Sequence, residues 1–78
     1  MTPPEIIRAL YGVHAAPASA RGTVERLVRE FGAAIVLRRA QQTTQELGWP
    51  EPHEQRPLEY LDALCRVEAA RERRWVSA

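Results

Sequence analysis

Apolar positions along this chain recur three and four residues apart, the period of a helix face, and no stretch alternates as a half-buried strand requires. Ile6, Ile7 and Leu10 form a one-sided stripe. Pro3 suits a first helical position and Gly12 a stop, so a first helix is predicted over about 3–11. Val13 to Gly22, with Pro17, Ser19 and Gly22, reads as a connector. Thr23 is placed to cap a second helix over about 24–47, supported by the four-residue charge pairs Glu25–Arg29 and Arg26–Glu30 and ended by Gly48 and Pro50. Residues 48–57 form a proline-rich linker. A third helix is predicted over about 57–75, with Leu58, Leu61, Leu64, Cys65, Ala69 and Trp75 on one broad face.

The face of the second helix changes sides. At 100° per residue, Leu27, Val28, Phe31 and Ile35 fall within about 60° of Val24. The positions that would extend this stripe are Arg38, Arg39, Gln42 and Glu46, while Val36, Leu37, Ala40, Thr44 and Leu47 gather about 165° away. Either the helix bends near Gly32, or it stays straight and packs a different neighbour on each half. The overlap, Ala33 to Leu37, is then expected to be covered on all sides. Two small cores on opposite faces leave each one open, which predicts a dimer or an obligate binder.

The predicted fold is thus all-α: a single three-helix domain over residues 1–78, dimeric. The 78 residues hold one small domain. Eleven arginines oppose ten carboxylates for a net charge of +1, too balanced for a broad positive field. The longest unbroken apolar run, Gly32 to Leu37, is far too short to span a bilayer, so no membrane partner is expected. The lone Cys65 makes no internal disulfide, and Met1 to Glu5 has no cationic leader; together they favour the cytoplasm.

Little catalytic chemistry is legible. His14, His53 and Cys65 match no zinc spacing, and the glycines at 12, 22, 32 and 48 are too scattered to cradle a phosphate. Cys65 falls on an apolar face, where a thiol is usually an inert core group. No catalytic residue, metal site or cofactor is expected.

Thr23 to Ala40, TVERLVREFGAAIVLRRA, resembles the helix-turn-helix of GntR-type repressors, in which a glycine turn precedes an arginine-bearing recognition helix. The resemblance implies that Arg38 and Arg39 face the major groove and contact nucleic acid. The plainer reading is preferred: both arginines solvate the face that the apolar stripe vacates. The better interaction candidates are Arg71, Arg74 and Trp75 in the C-terminal run, because Trp and Arg are enriched at interface hot spots. Trp49 either plugs the gap between the second and third helices, the preferred reading, or stands exposed as an anchor. The function expected is a small non-enzymatic protein-binding module, an inhibitor, adaptor or assembly factor of the size often carried by phages and mobile elements. Its partner is a protein, with a homodimer expected. The alternative is a helix-turn-helix-like DNA-binding transcriptional regulator.

Overall fold

The computed structural model describes the backbone of residues 3–77 and the side chains of residues 3–71. Every regular element within it is an α-helix: α1 (Pro3–Tyr11), α2 (Ala20–Phe31), α3 (Ala33–Leu47) and α4 (Arg56–Ser77). The all-α expectation holds; the count of three helices does not. The predicted second helix over 24–47 is two helices cut at one residue, Gly32, whose backbone sits at φ 91° and ψ 145°. This conformation is essentially confined to glycine, because a Cβ there meets the neighbouring peptide. α2 also starts earlier than expected. Ser19 precedes it without a side-chain cap, and the Thr23 N–H bonds the Ser19 carbonyl at 3.0 Å, so Thr23 lies one turn inside the helix rather than capping it.

The cut explains the stripe that changes sides. Pairs along α2 and α4 rise together in both elements: Ser19 with Gln55 just before the helices, then Arg26 with Asp62 within them. Pairs between α3 and α4 run oppositely: Arg39 with Glu68, then Glu46 with Tyr60. The chain therefore turns back at Gly32, parallel to α4 before it and antiparallel after it. Stripes that point apart on a straight helix converge once the second half is turned back on the first.

The result is one core, correcting the expected two. Ile6, Leu10 and Tyr11 of α1 meet Ala20, Val24 and Leu27 of α2, Val36 and Ala40 of α3, and Leu58, Leu61 and Cys65 of α4. Both α1 and α4 pack against α2 and α3. Ala34 is exposed while Val36 is buried, so Ala33 to Leu37 is not enclosed on every side. Two hydroxyls close the polar account of the interior. Thr43 Oγ1 donates to the Arg39 carbonyl at 2.8 Å, and Thr44 Oγ1 donates across to the Ala9 carbonyl of α1 at 2.5 Å.

On the outside of the α3–α4 contact runs a polar seam. Arg39 donates to Glu68 Oε2 at 2.7 Å and to Gln42 Oε1 at 2.7 Å; Gln42 donates to Glu46 Oε1 at 3.0 Å, and the Tyr60 hydroxyl donates to Glu46. The Arg39 hydrogen bond holds the Glu68 carboxyl below the usual carboxylate range. The Tyr60 hydroxyl, followed by the Gln42 amide, does the same for Glu46.

Burial of two weak acids makes stability sensitive to alkali. Burial, aided by the Glu54 carboxylate, pushes Tyr11 from 10.0 to about 12. Burial, then Asp62 and Glu68, pushes Cys65 from 9.0 to about 11. Above about pH 9 the unfolded chain gives up these protons while the folded chain keeps them, so ionisation favours unfolding. The melting temperature is expected to fall from about pH 9 and to keep falling until about pH 12. Tyr11→Phe should flatten the upper part of that fall. A melting temperature independent of pH over this range would contradict the burial of both groups.

Candidate protein-binding surface

One end of the molecule is built from the two connectors, residues 12–19 and 48–55, which two bonds join to each other and a third joins to α1. Tyr11, at the last turn of α1 with its ring in the core, donates its hydroxyl to the Glu54 carbonyl at 2.5 Å. The His53 N–H donates to the Ala15 carbonyl at 2.8 Å, from a left-handed residue at φ 64°. Ser19 Oγ donates to Gln55 Oε1 at 3.0 Å.

On this frame sits an apolar surface. Gly12 ends α1 at φ 61°, and the Trp49 indole lies directly over it. A Cβ added at Gly12 would fall 2.9 Å from Trp49 Cζ3, so any other residue here displaces the ring. The indole rests on this glycine, and 61% of Trp49 stays exposed. Val13 beside it is 99% exposed. Gly12, Val13, His14 and Trp49 line an open cavity of about 250 Å³. A second, more polar cavity of about 190 Å³ also borders Trp49, with Glu51, Glu54 and Arg56 in its wall. Among the described residues no ion pair holds either carboxylate.

Trp49 is therefore an exposed side chain braced on α1, not the plug between the last two helices that was the preferred expectation. The neighbouring Pro50, with Pro57 and Leu58, supplies the buried apolar surface there. Arg38 is exposed on α3. Arg39 is not available in the same way: its side chain is 26% exposed and it is held by Glu68 and Gln42. The connection between α2 and α3 is a single residue, where a helix-turn-helix uses a turn of three or four. Arg71 is exposed on α4, far along the chain from Trp49; the side chains of Arg74 and Trp75 lie outside the described residues. Cys65 is fully buried, with its thiol pushed up to about 11, so the thiolate a nucleophile needs is suppressed. Among the described residues no group of three His, Cys, Asp or Glu is placed to hold a metal ion, and no helix is long and apolar enough to cross a membrane.

No protein-family profile, curated protein or solved structure matches this chain. The reading of its surface rests on its own geometry.

Val13, Glu51 and Glu54 were missed by sequence reasoning. Val13 carried a signal: a β-branched apolar residue directly after a helix-stopping glycine has no helical face on which to hide. The two glutamates carried none, since solvated carboxylates in a proline-rich linker are unremarkable until the fold sets them beside an indole.

Proposed function

We propose that this chain is a small protein-binding domain without catalytic chemistry of its own, of the inhibitor, adaptor or assembly-factor kind, and that it docks through the surface around Trp49 and Val13. The observation that carries this reading is the seat of Trp49 on Gly12. A large aromatic side chain packs onto a glycine where any Cβ would collide with it, yet most of it faces solvent beside a wholly exposed valine. Rigid exposed aromatics supply large contact area at little cost in lost side-chain freedom, which is why they dominate interface energetics. The bonds through Tyr11, His53 and Ser19 hold the two connectors as one surface before any partner arrives, and preorganisation of this kind favours affinity.

The test places a photoreactive benzophenone side chain at Val13 and, as a control, at Arg21, an exposed position on α2 at a distance along the chain. Irradiation in a lysate of the producing cells should yield a discrete protein adduct from position 13 and none of the same mass from position 21. Trp49→Ala should lower that yield on the order of thirtyfold, the affinity equivalent of a hot spot worth ~2 kcal/mol. Absence of an adduct at position 13, or equal adducts at both positions, would overturn the reading.

A further inference from the structure

Gly32 joins two halves of the chain that hold one another. Residues 3–31 carry α1 and α2, residues 33–77 carry α3 and α4, and the join between them is this one residue. The core is shared across it: Ile6, Leu10, Val24 and Leu27 come from the first half, Val36, Ala40, Leu61 and Cys65 from the second. The bonds that shape the loop end cross it too, Tyr11 to Glu54, His53 to Ala15 and Ser19 to Gln55, as does the seat of Trp49 on Gly12. Yet the helical ladder is barely broken there. The Gly32 N–H donates to the Val28 carbonyl at 2.9 Å and the Val36 N–H to the Gly32 carbonyl at 3.1 Å, each four residues back as in a helix. Between them, among the described residues, only the N–H groups of Ala33, Ala34 and Ile35 fall outside the ladder, and no side chain caps them.

We propose that two copies of this chain pair by exchanging halves. In the pair, α2 and α3 straighten through Gly32 into one rod, and α1 with α2 of each copy packs on α3 with α4 of the other. The fold itself names the occupant, because only a second copy supplies the surface that each half already covers in the single chain. The exchanged pair and the single chain share every contact between the halves and differ only at the join. There the rod extends the ladder through Ala33, Ala34 and Ile35, and Gly32 leaves its φ of 91°. Short joins at which a chain must turn sharply favour such exchange. The apolar pattern suits the rod as well. Its two stripes point apart, which puts the other copy on opposite sides at the two ends, so the rods cross at their middles. Gly32, Ala33 and Ala34 stand at that crossing and let the backbones approach closely. The pair then carries two Trp49 surfaces, each with Trp49 of one copy on Gly12 of the other, and a partner with two matching sites is held at both.

The experiment is sedimentation of the purified full chain from low micromolar to submillimolar concentration, with long incubation at each step because exchange requires the core to open. The parent chain should be monomeric at the low end and partly dimeric at the high end. Gly32→Ala should raise the association constant on the order of a hundredfold or more, since both chains of the pair escape the cost of a side chain at this backbone. Three glycines inserted after Gly32 should keep the chain monomeric, because a slack join eases the turn and cannot continue the rod. Isotope-filtered NMR on equal amounts of labelled and unlabelled Gly32→Ala chain separates exchange from ordinary pairing. The contact between the Trp49 indole protons and Gly12 should appear between labelled and unlabelled copies. A parent chain monomeric throughout overturns the proposal, as does a Gly32→Ala chain that is monomeric or unfolded at every concentration. A dimer whose Trp49–Gly12 contact stays within one copy overturns it equally, as does undiminished association of the lengthened chain. Any of these results leaves the Trp49 surface on the single chain, where the position-13 photoadduct decides it separately.

Discussion

Replacing Gly32 with alanine is expected to destabilise the domain by ~2–4 kcal/mol, although alanine is the better helix former. The backbone at φ 91° and ψ 145° lies where a side chain costs about 1–3 kcal/mol. Nothing lies within 4 Å of the position, so the penalty is conformational and not a matter of room. Alanine also favours the competing straight helix through residue 32 by about 1 kcal/mol. Straightening would send Val36 and Ala40 away from Val24 and Leu27, because the two stripes point apart unless the chain turns back between them. With a drop of about 4–8 °C per kcal/mol for a domain of this size, the melting temperature should fall on the order of 10–30 °C. Gly22 supplies the internal comparison. It lies within α2 with open space around it and no unusual backbone angle, so Gly22→Ala should stabilise by up to about 1 kcal/mol. Equal effects of the two substitutions in thermal melts would mean that Gly32 is an ordinary helical glycine and that α2 and α3 are one rod.

Leu61→Ala is expected to cost ~2–5 kcal/mol, the range for truncating a fully buried leucine. Leu61 is 0% exposed and sits on the face of α4 that, with Leu58 and Cys65, closes the core over α2 and α3. A domain of this length holds roughly 4–12 kcal/mol in all, so the substitution removes a large fraction and places much of the population near its unfolding midpoint. In urea the midpoint should move sharply down with little change in slope, because the surface exposed on unfolding stays nearly the same. Val67→Ala, two turns further along and half exposed, should lie within about 0.5 kcal/mol of the parent. Comparable losses at Leu61 and Val67 would show that α4 turns a different face to the core.

Much of this architecture was legible from local pattern. Pro3 and Gly12 bracketed α1 at its observed limits, and the Gly48–Pro57 linker and the start of α4 fell within a residue or two of their places. These features are set by backbone restrictions of single residues and by a period of 3.6, both readable without a neighbour. The inner face of α4 was read in the same way: Leu58, Leu61 and Cys65 are buried as expected, while Leu64 and Ala69 are half-buried at its edge and the side chain of Trp75 lies outside the described residues. The start of α2 was misplaced. Ser19, at the N-cap position, is of a capping type, but its hydroxyl bonds Gln55 instead of the helix, and α2 begins on the Pro17 turn rather than at Thr23.

The candidate surface was legible in one residue only. Trp49 stood out, but whether it faced inward or outward depended on what lay under it, and that is Gly12, 37 positions earlier. Arg39 illustrates the converse. On its own helix it looks like a solvated partner of Arg38, and only Glu68 on α4 turns it inward into a fixed seam.

The order of apolar and polar residues thus determined that this chain is helical, where most of its helices begin and end, and that the middle segment must bury side chains in two directions. Only tertiary structure decided how those directions are reconciled. A straight rod exposes one stripe, whereas a rod cut at Gly32 buries both in one core, and the difference lies in long-range packing that no local window contains. The same packing sets Trp49 on Gly12 and leaves its ring in water, because a contact between distant segments forms only after the chain has turned.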